Sequence, residues 1–380
     1  MNKIAVLKER LEGEKRVALV PDSVKKLIQK GYQIYIEKNA GLAANFLNEI
    51  YIEAGAKIVD NASDVISSCD IICKVRHPQK YNEVDETKLI DSSKILFGIQ
   101  DPVNQISNRD LFTQKKISVF AMEFIPRISI AQSMDVLSSM ATVAGYKAVL
   151  IATEHYQKFF PMFMTAAGTI PPTKVLILGA GVAGLQAIAT ARRLGAVVEV
   201  FDVRPEVKEQ VESLGGKFIE MELEEDNQDA GGYAKQMSAE FIKKEMALIE
   251  KHLLKSDICI CTAQVFGRKA PVLVKKEMVD KMNTGSVIVD LAAEQGGNCE
   301  YSKPGEVIDI NGVTVLGPQN IASSMATHAS QMYSKNLENL IVHLTKEEAK
   351  ITIDLEDEVT AKTVIYHEGE VVSEILKRFI

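Results

Sequence analysis

Short, almost wholly apolar runs recur through the first third of the chain, at residues 3–7, 33–37, 57–59, 70–75, 96–98 and 117–121. Between them the apolar residues fall at helical spacing. Residues 23–30 carry theirs on Val24, Leu27 and Ile28 and stop at Gly31, residues 46–54 stop at Gly55, and Asp64 opens a further short helix. Glycine just past the last periodic residue is how helices commonly end. Short strands alternating with helices of about ten residues predict a parallel sheet with helical crossovers. The stretch 129–160 reads differently. It lacks internal proline, carries Met134, Leu137, Met140, Val143, Ala144 and Ala148 at helical spacing, and ends before Pro161. One long connecting helix that lines a cleft is the prediction.

A second strand–helix series begins at Lys174 and runs through 175–178, 197–201, 217–219, 258–261, 286–289 and 313–316. A helix over 322–344 follows, then a strand pair at 351–355 and 362–366. By its position this tail returns to the first domain. The fold class expected is α/β: two Rossmann-like doubly wound parallel-sheet domains joined by long helices, with a cofactor in the cleft. Their bounds are 1–128 with 330–380, a connector 129–160, and 161–329. The interval 221–240 is charged, contains glycine and is longer than most connections in such folds. It reads either as a mobile lid over a ligand or as a solvated excursion.

Composition narrows the function. With 380 residues, 46% of them hydrophobic and 25% charged, the chain is long enough for two cores and too apolar for disorder. Its formal charge of -7 and lack of a basic stripe argue against nucleic acid. The opening residues carry Lys3, Lys8, Glu9 and Arg10 where an export signal needs an apolar core, so no such signal is expected. The greasiest run, 175–191, is broken by Gly179, Gly181, Gly184 and Gln186, which suits a strand, turn and helix better than a membrane span. Five cysteines with no second metal-spaced pair read as reduced, buried thiols, and no metal is expected.

The sharpest local signal is Gly179-Ala180-Gly181-Val182-Ala183-Gly184, set between an apolar strand and an alanine-rich helix. The first glycine allows a tight turn, the second lets a pyrophosphate approach the backbone, and the third brings helix and strand together. The next strand ends at Asp202, eighteen residues past Gly184, where a carboxylate accepts both hydroxyls of an adenosine ribose and repels a 2′-phosphate. This favours NAD(H) over NADP(H), although Arg204 argues the other way. Val182, Val203 and Arg204 join the candidate cofactor contacts. A second cluster runs from Arg127 to Ser139. On one continuous helix Gln132, Asp135 and Ser138 share a face, and Arg127 before it can fork onto a carboxamide, a phosphate or Asp135. A solvated helix face capped by Ser129 is the plainer alternative.

The segments RISIAQSMDVLSS, FPMFMTAAGTIPP, GAGVAGLQAIATARRLGAVVEVFDVR, EQVESLGGKF, AGGYAKQM and GSVIVDLAAEQGGN resemble the NAD(H)-binding component of the proton-translocating nicotinamide nucleotide transhydrogenases. The resemblance covers essentially the whole chain, and that family is close in fold to alanine dehydrogenase. It implies direct hydride transfer between NAD(H) here and NADP(H) on a partner component, coupled to proton passage through a membrane component. Residue by residue it implies that Arg127 and Ser138 hold the nicotinamide end, and that Gln132 and Asp135 lie at the transfer site, with Asp135 an organiser rather than an acid. Gly179, Gly181 and Gly184 carry the pyrophosphate, Asp202 the ribose, and Thr262 and Ala263 flank the ribose. Gly232 and Tyr233 belong to a loop that closes over nucleotide. Ile130 departs from the pattern, standing where some relatives carry Arg.

A homodimer, an NADP(H)-binding beta-subunit domain and membrane-spanning subunits are the implied partners. The implied location is the cytoplasmic side of the cell membrane, as a peripheral subunit that is soluble when isolated; the strand 362–366 is one element able to pair across a two-fold. Two other readings stand beside this one. Arg16 and Lys74 match the substrate-binding basic residues of an alanine dehydrogenase-like oxidoreductase, but Asp101 falls where that family has its catalytic His, and Glu294 where it has an Asp. Arg16 and Lys74 would then pair with acids. The other is a nucleotide-sensing module without catalysis.

Overall fold

The computed structural model describes residues 2–82, 84–92, 94–105, 107–221, 239–265, 267–347 and 349–378. The chain divides into two compact units, residues 1–140 with 322–380, and residues 141–321. The strands of the two main sheets are, in chain order, β1 (Lys3–Val6), β2 (Gln33–Glu37), β3 (Lys57–Val59), β4 (Ile71–Arg76), β5 (Ile95–Ile99), β6 (Ser118–Ala121), β7 (Lys174–Leu178), β8 (Val197–Phe201), β9 (Lys217–Phe218), β10 (Ile258–Cys261), β11 (Val287–Asp290), β12 (Val307–Ile310), β13 (Val313–Leu316), β14 (Val364–His367) and β15 (Glu370–Val371).

In the first unit the sheet order is β15-β14-β6-β5-β4-β1-β2-β3. Strands β1 to β6 pair in parallel. The middle strands are buried on both faces, which is why they read as unbroken apolar runs. One face packs Val65, Ile66, Leu96, Phe112, Val119, Ile365 and Leu376 into a core. On the late helix Ala326–Leu344, Tyr333, Leu337, Leu340 and Ile341 are buried. That helix also supplies polar partners to the extended segment after Arg16: Ser330 Oγ accepts from Val17 N at 3.0 Å, Ser334 Oγ from Val20 N at 2.9 Å, and Ser23 Oγ donates to Glu338 at 2.8 Å. A buried loop with unmet N–H groups would be costly, and this serine face removes that cost.

The tail departs from the expected strand pair. Lys350–Ile351 pairs back on Thr345–Glu347, after which the chain turns away. Lys362 and Thr363 close a helix, Glu358–Thr363, started by Asp357, whose carboxylate accepts from Thr360 N at 2.8 Å. The strand begins only at Val364. It lies antiparallel to β6 on one side and to β15 on the other, so residues 362–366 are not an edge open to pairing across a two-fold.

The predicted helix over 129–160 is three pieces. A 3-10 turn, Ser129–Met134, is held by Asn336 and Asn339, which both donate to Ser133 O at 2.9 Å. Asp135 then leaves helical geometry (φ -72°, ψ 97°). Its carboxylate accepts from Ser138 N at 2.9 Å and Ser138 Oγ at 2.6 Å, capping the true helix Val136–His155. At the far end Tyr156 and Phe160 turn into the core of the second unit, edge to face at 6.0 Å. By length and composition Val136–His155 could cross a bilayer, but Ala148, Val149 and Ala152 are fully buried in that same core, as a core helix requires.

The second unit has sheet order β9-β8-β7-β10-β11-β13-β12, parallel except for the last pair. Its first strand, β7, is central, with β8 on one side and β10 on the other. The strand order reverses there, so the crevice outside the carboxyl ends of β7 and β10 is the place where open α/β sheets bind ligands.

Candidate dinucleotide site

Gly179 leaves β7 at φ +102°, a conformation that L side chains rarely adopt, and a Cβ there would lie 2.7 Å from Thr262 Oγ1. A Cβ on Gly184 would fall 1.9 Å from Gly179 O, so only glycine lets the helix Val182–Arg193 start this close to the strand. Gly181 has an ordinary φ of -74° and nothing within 4 Å of its Cβ position. Its requirement for glycine is therefore not internal; the space it leaves is open for a ligand. It is the N-cap of that helix without a side-chain cap, and the first-turn N–H groups carry the positive end of the helix dipole. Val182 is exposed at the mouth of the turn.

Asp202, directly after β8, is nearly buried by its side chain at 6% exposure and reaches back to the turn, where Oδ2 accepts from Ala180 N at 2.6 Å. Arg204 donates from N, Nε and Nη2, each at 2.9 Å. Burial alone would raise the Asp202 pKa, but the guanidinium and the two backbone N–H groups hold it below the ordinary carboxylate value. Four donors fill its four lone-pair sites, so a ribose bound here would take the place of Arg204 on this carboxylate. Arg204 and Val203 are exposed beside it. Thr262, after β10, donates from Oγ1 to Gly179 O at 2.9 Å, and from N to Leu178 O at 2.8 Å. Ala263 follows it. The structure thus brings Gly179, Gly181, Val182, Gly184, Asp202, Val203, Arg204, Thr262 and Ala263 to one end of the sheet.

One residue at this end gives no motif signal. Gly145, in the middle of Val136–His155, would place a Cβ 2.0 Å from Ala183 O and 2.8 Å from Ala183 C. The long helix therefore lies directly on the backbone of the glycine turn. A glycine interrupting an otherwise helical pattern was the only signal in the sequence.

The other candidates lie in the first unit. Arg127, Ile130 and Gln132 are exposed, and Arg127 pairs with no carboxylate among the described residues, Asp135 included. The single helix face expected for Gln132, Asp135 and Ser138 is not formed. Gln132 sits in the 3-10 turn, while Asp135 and Ser138 form the helix cap. Gly232, Tyr233 and the interval that holds them lie outside the described residues.

The basic pair that matches alanine dehydrogenase is neutralised. Arg16 is 2% exposed and forks onto Glu14 at 2.8 and 2.6 Å. Lys74 is fully buried between Glu86 at 3.0 Å and Glu9 at 3.6 Å. Desolvation pushes the Glu9 carboxyl up to about 7 despite Lys74. Burial also acts on Glu14, but Arg16 and Arg76 overcome it and bring that carboxyl down to about 2. Asp101 sits on strained backbone at φ +47°, and Glu294 accepts from Asn320 N at 3.3 Å in the second unit.

Comparison with known proteins places these features in a family. Residues 5–144 match the alanine dehydrogenase/PNT N-terminal domain, and residues 148–374 the alanine dehydrogenase/PNT C-terminal domain. The first polypeptide of the split NAD(P) transhydrogenase subunit alpha of Rhodospirillum rubrum is 46% identical over 377 residues, 97% of each chain. The crystal structure of transhydrogenase from Sinorhizobium meliloti superposes with a TM-score of 0.88 at 42% identity, covering 98% of this chain and 100% of that one. An L-alanine dehydrogenase structure gives 0.82 at 27%, covering 99% and 98%.

Proposed function

The chain belongs to the alanine dehydrogenase/PNT family, among the alpha subunits of NAD(P) transhydrogenase, and from that premise we propose that it is the NAD(H)-binding component of a proton-translocating transhydrogenase. It exchanges hydride with NADP(H) held by a partner component, and a membrane component couples the exchange to proton movement. The observation that carries the nucleotide assignment is the open space at Gly181 over an uncapped helix N-terminus, with the Asp202 carboxylate beside it.

The pyrophosphate is held by the first-turn N–H groups of Val182–Arg193, the ribose by Asp202, and Thr262 and Ala263 form its wall. Arg127, Gln132, Asp135 and Ser138 serve the nicotinamide end, with Tyr233 and Gly232 on the closing loop. Bound nucleotide supplies the hydride at its nicotinamide ring; the chain's part is to position that ring within about 3–3.5 Å of the acceptor and to keep water out. Asp135 organises rather than titrates, because its carboxylate is spent on Ser138. The neutralised Arg16 and Lys74 leave no free cation pair for a small carboxylate substrate, which favours this reading over an alanine dehydrogenase.

The assembly follows the same reading. The hairpin Phe163–Thr165 and Gly168–Ile170 is exposed along its length, with Phe159 and Met162 exposed beside it. An apolar ribbon of this kind supports a homodimer. The dimer is a peripheral subunit on the cytoplasmic face of the membrane. Equilibrium titration with NADH and NADPH, together with a test for pyruvate- and ammonium-dependent NADH oxidation, checks the assignment. Saturable NADH binding, weaker NADPH binding and no oxidation are expected. Alanine dehydrogenase turnover would reassign the chain.

A further inference from the structure

Ala263 walls the dinucleotide turn, yet both of its backbone polar groups are already taken. Its N–H donates to Asn298 Oδ1 at 3.1 Å, and its carbonyl accepts from Asn298 Nδ2 at 2.8 Å. The amide side chain thus pairs with Ala263 at two points, as a neighbouring strand would. The second Nδ2 hydrogen goes to Pro271 O at 2.8 Å, and Asn298 is fully buried. Asn298 is itself anchored. Its carbonyl accepts from Leu273 N at 2.8 Å and Val274 N at 2.9 Å. The next residue, Cys299, donates its N–H to Asp290 Oδ2 at 2.9 Å, while Asp290 Oδ1 takes Ala292 N at the same distance. Gln264, one residue past Ala263, adds a bond from Nε2 to Leu291 O at 2.6 Å. The segment after β10 is therefore tied on one side to the glycine turn through Thr262, and on the other to the turn after β11.

The geometry points to Asn298 as a positioning residue for nucleotide binding. It touches no ligand. It fixes the Thr262–Ala263 wall against the glycine turn and uses up the Ala263 main chain, so that this wall meets the nucleotide through side chains alone. The inference rests on the NAD(H) assignment above. A fully used amide in a dry site is hard to replace, because removing it strands a buried N–H and two carbonyls at once.

The test combines two readouts on the intact chain. NADH affinity is followed by the nucleotide's own fluorescence, which no tryptophan obscures because the chain has none. Amide hydrogen exchange reports Ala263 directly. Asn298→Ala is expected to lose protection at Ala263 while Thr262, bonded to Leu178 O, keeps its own, and to bind NADH about tenfold more weakly, the affinity equivalent of about one lost hydrogen bond. Asn298→Asp keeps the shape, removes both donors, and takes the place of the alanine variant if that fails to fold. Val315→Ala, a core truncation on β13, is expected to lower the melting temperature and leave the affinity unchanged. Wild-type affinity in an Asn298 variant that has lost Ala263 protection overturns the proposal, as does retained protection. If the wild-type chain binds no NADH, the nucleotide assignment fails instead, and the exchange data still report whether the clamp exists.

Discussion

Gly145→Ala sets two physical effects of opposite sign against each other. In an isolated helix interior the change stabilises, since alanine is better than glycine there by about 1 kcal/mol. Here the added Cβ would sit 2.0 Å from Ala183 O, with Ala183 Cα at 2.9 Å. Both obstacles are backbone, so no side chain can swing aside. A carbon–oxygen contact settles at about 3.3 Å, so the helix or the turn must retreat by about 1.3 Å. Overpacking of that order costs about 1–3 kcal/mol, and a shift of about an ångström beside a bound ligand lowers affinity as well. The net expectation is destabilisation by about 1–2 kcal/mol with NADH binding weakened about tenfold or more. Thermal and urea unfolding measure the first, and fluorescence titration the second. A variant as stable as the parent, with the same affinity, would refute the claim that the long helix rests on the glycine turn.

Three further outcomes follow from the same geometry. Gly181→Ala meets no atom within 4 Å, so it should fold and melt like the parent yet bind NADH at least about tenfold more weakly, whereas Gly184→Ala should lose stability as well; equal melting losses in the two would show that Gly181 is structural. Asp202→Asn removes the charge that rejects a 2′-phosphate, so NADH affinity should drop about tenfold to a hundredfold, while the preference over NADPH narrows. An unchanged NADH:NADPH ratio would remove Asp202 from the site. Burial pushes Glu123 up to about 7, against N–H bonds from Gln100 and Asp101 and with the nearby Asp101 carboxylate adding to the rise. A raised folded pKa means that stability is fully present below the unfolded value near 4.5 and is lost as pH climbs through 7. Glu123→Gln should therefore be the more stable protein at pH 8, by up to about 3 kcal/mol, with the gap closing near pH 5; a gap independent of pH would contradict this.

What the sequence shows and what it hides divide along physical lines. The central strands were legible because parallel strands buried on both faces leave unbroken apolar runs. The glycine turn was legible because each glycine answers a local constraint. Asp135 was missed because Met134 and Leu137 continue a helical pattern straight through it. The break comes from its carboxylate, which binds Ser138 and starts a new helix in preference to extending the old turn. The late strand was misplaced by two residues for a similar reason, Asp357 capping a short helix that consumes Lys362 and Thr363. Pairing of β14 with β6 is tertiary and leaves no local trace. Gly145 and Asn298 are legible only once β7, β10 and the long helix are placed, because their roles are distances to backbone atoms far along the chain. The matches of Arg16 and Lys74 to a substrate site could be read from the sequence, but their neutralisation by Glu14, Glu9 and Glu86 depends on folding.

The most direct test of the central claim is a mixing assay. The purified chain is combined with NADPH and an oxidised NAD analogue, with and without the NADP(H)-binding partner component. Analogue reduction is expected only when both proteins are present, because each brings one nucleotide. Failure of reduction with both nucleotides bound and both proteins in contact would contradict the transhydrogenase assignment.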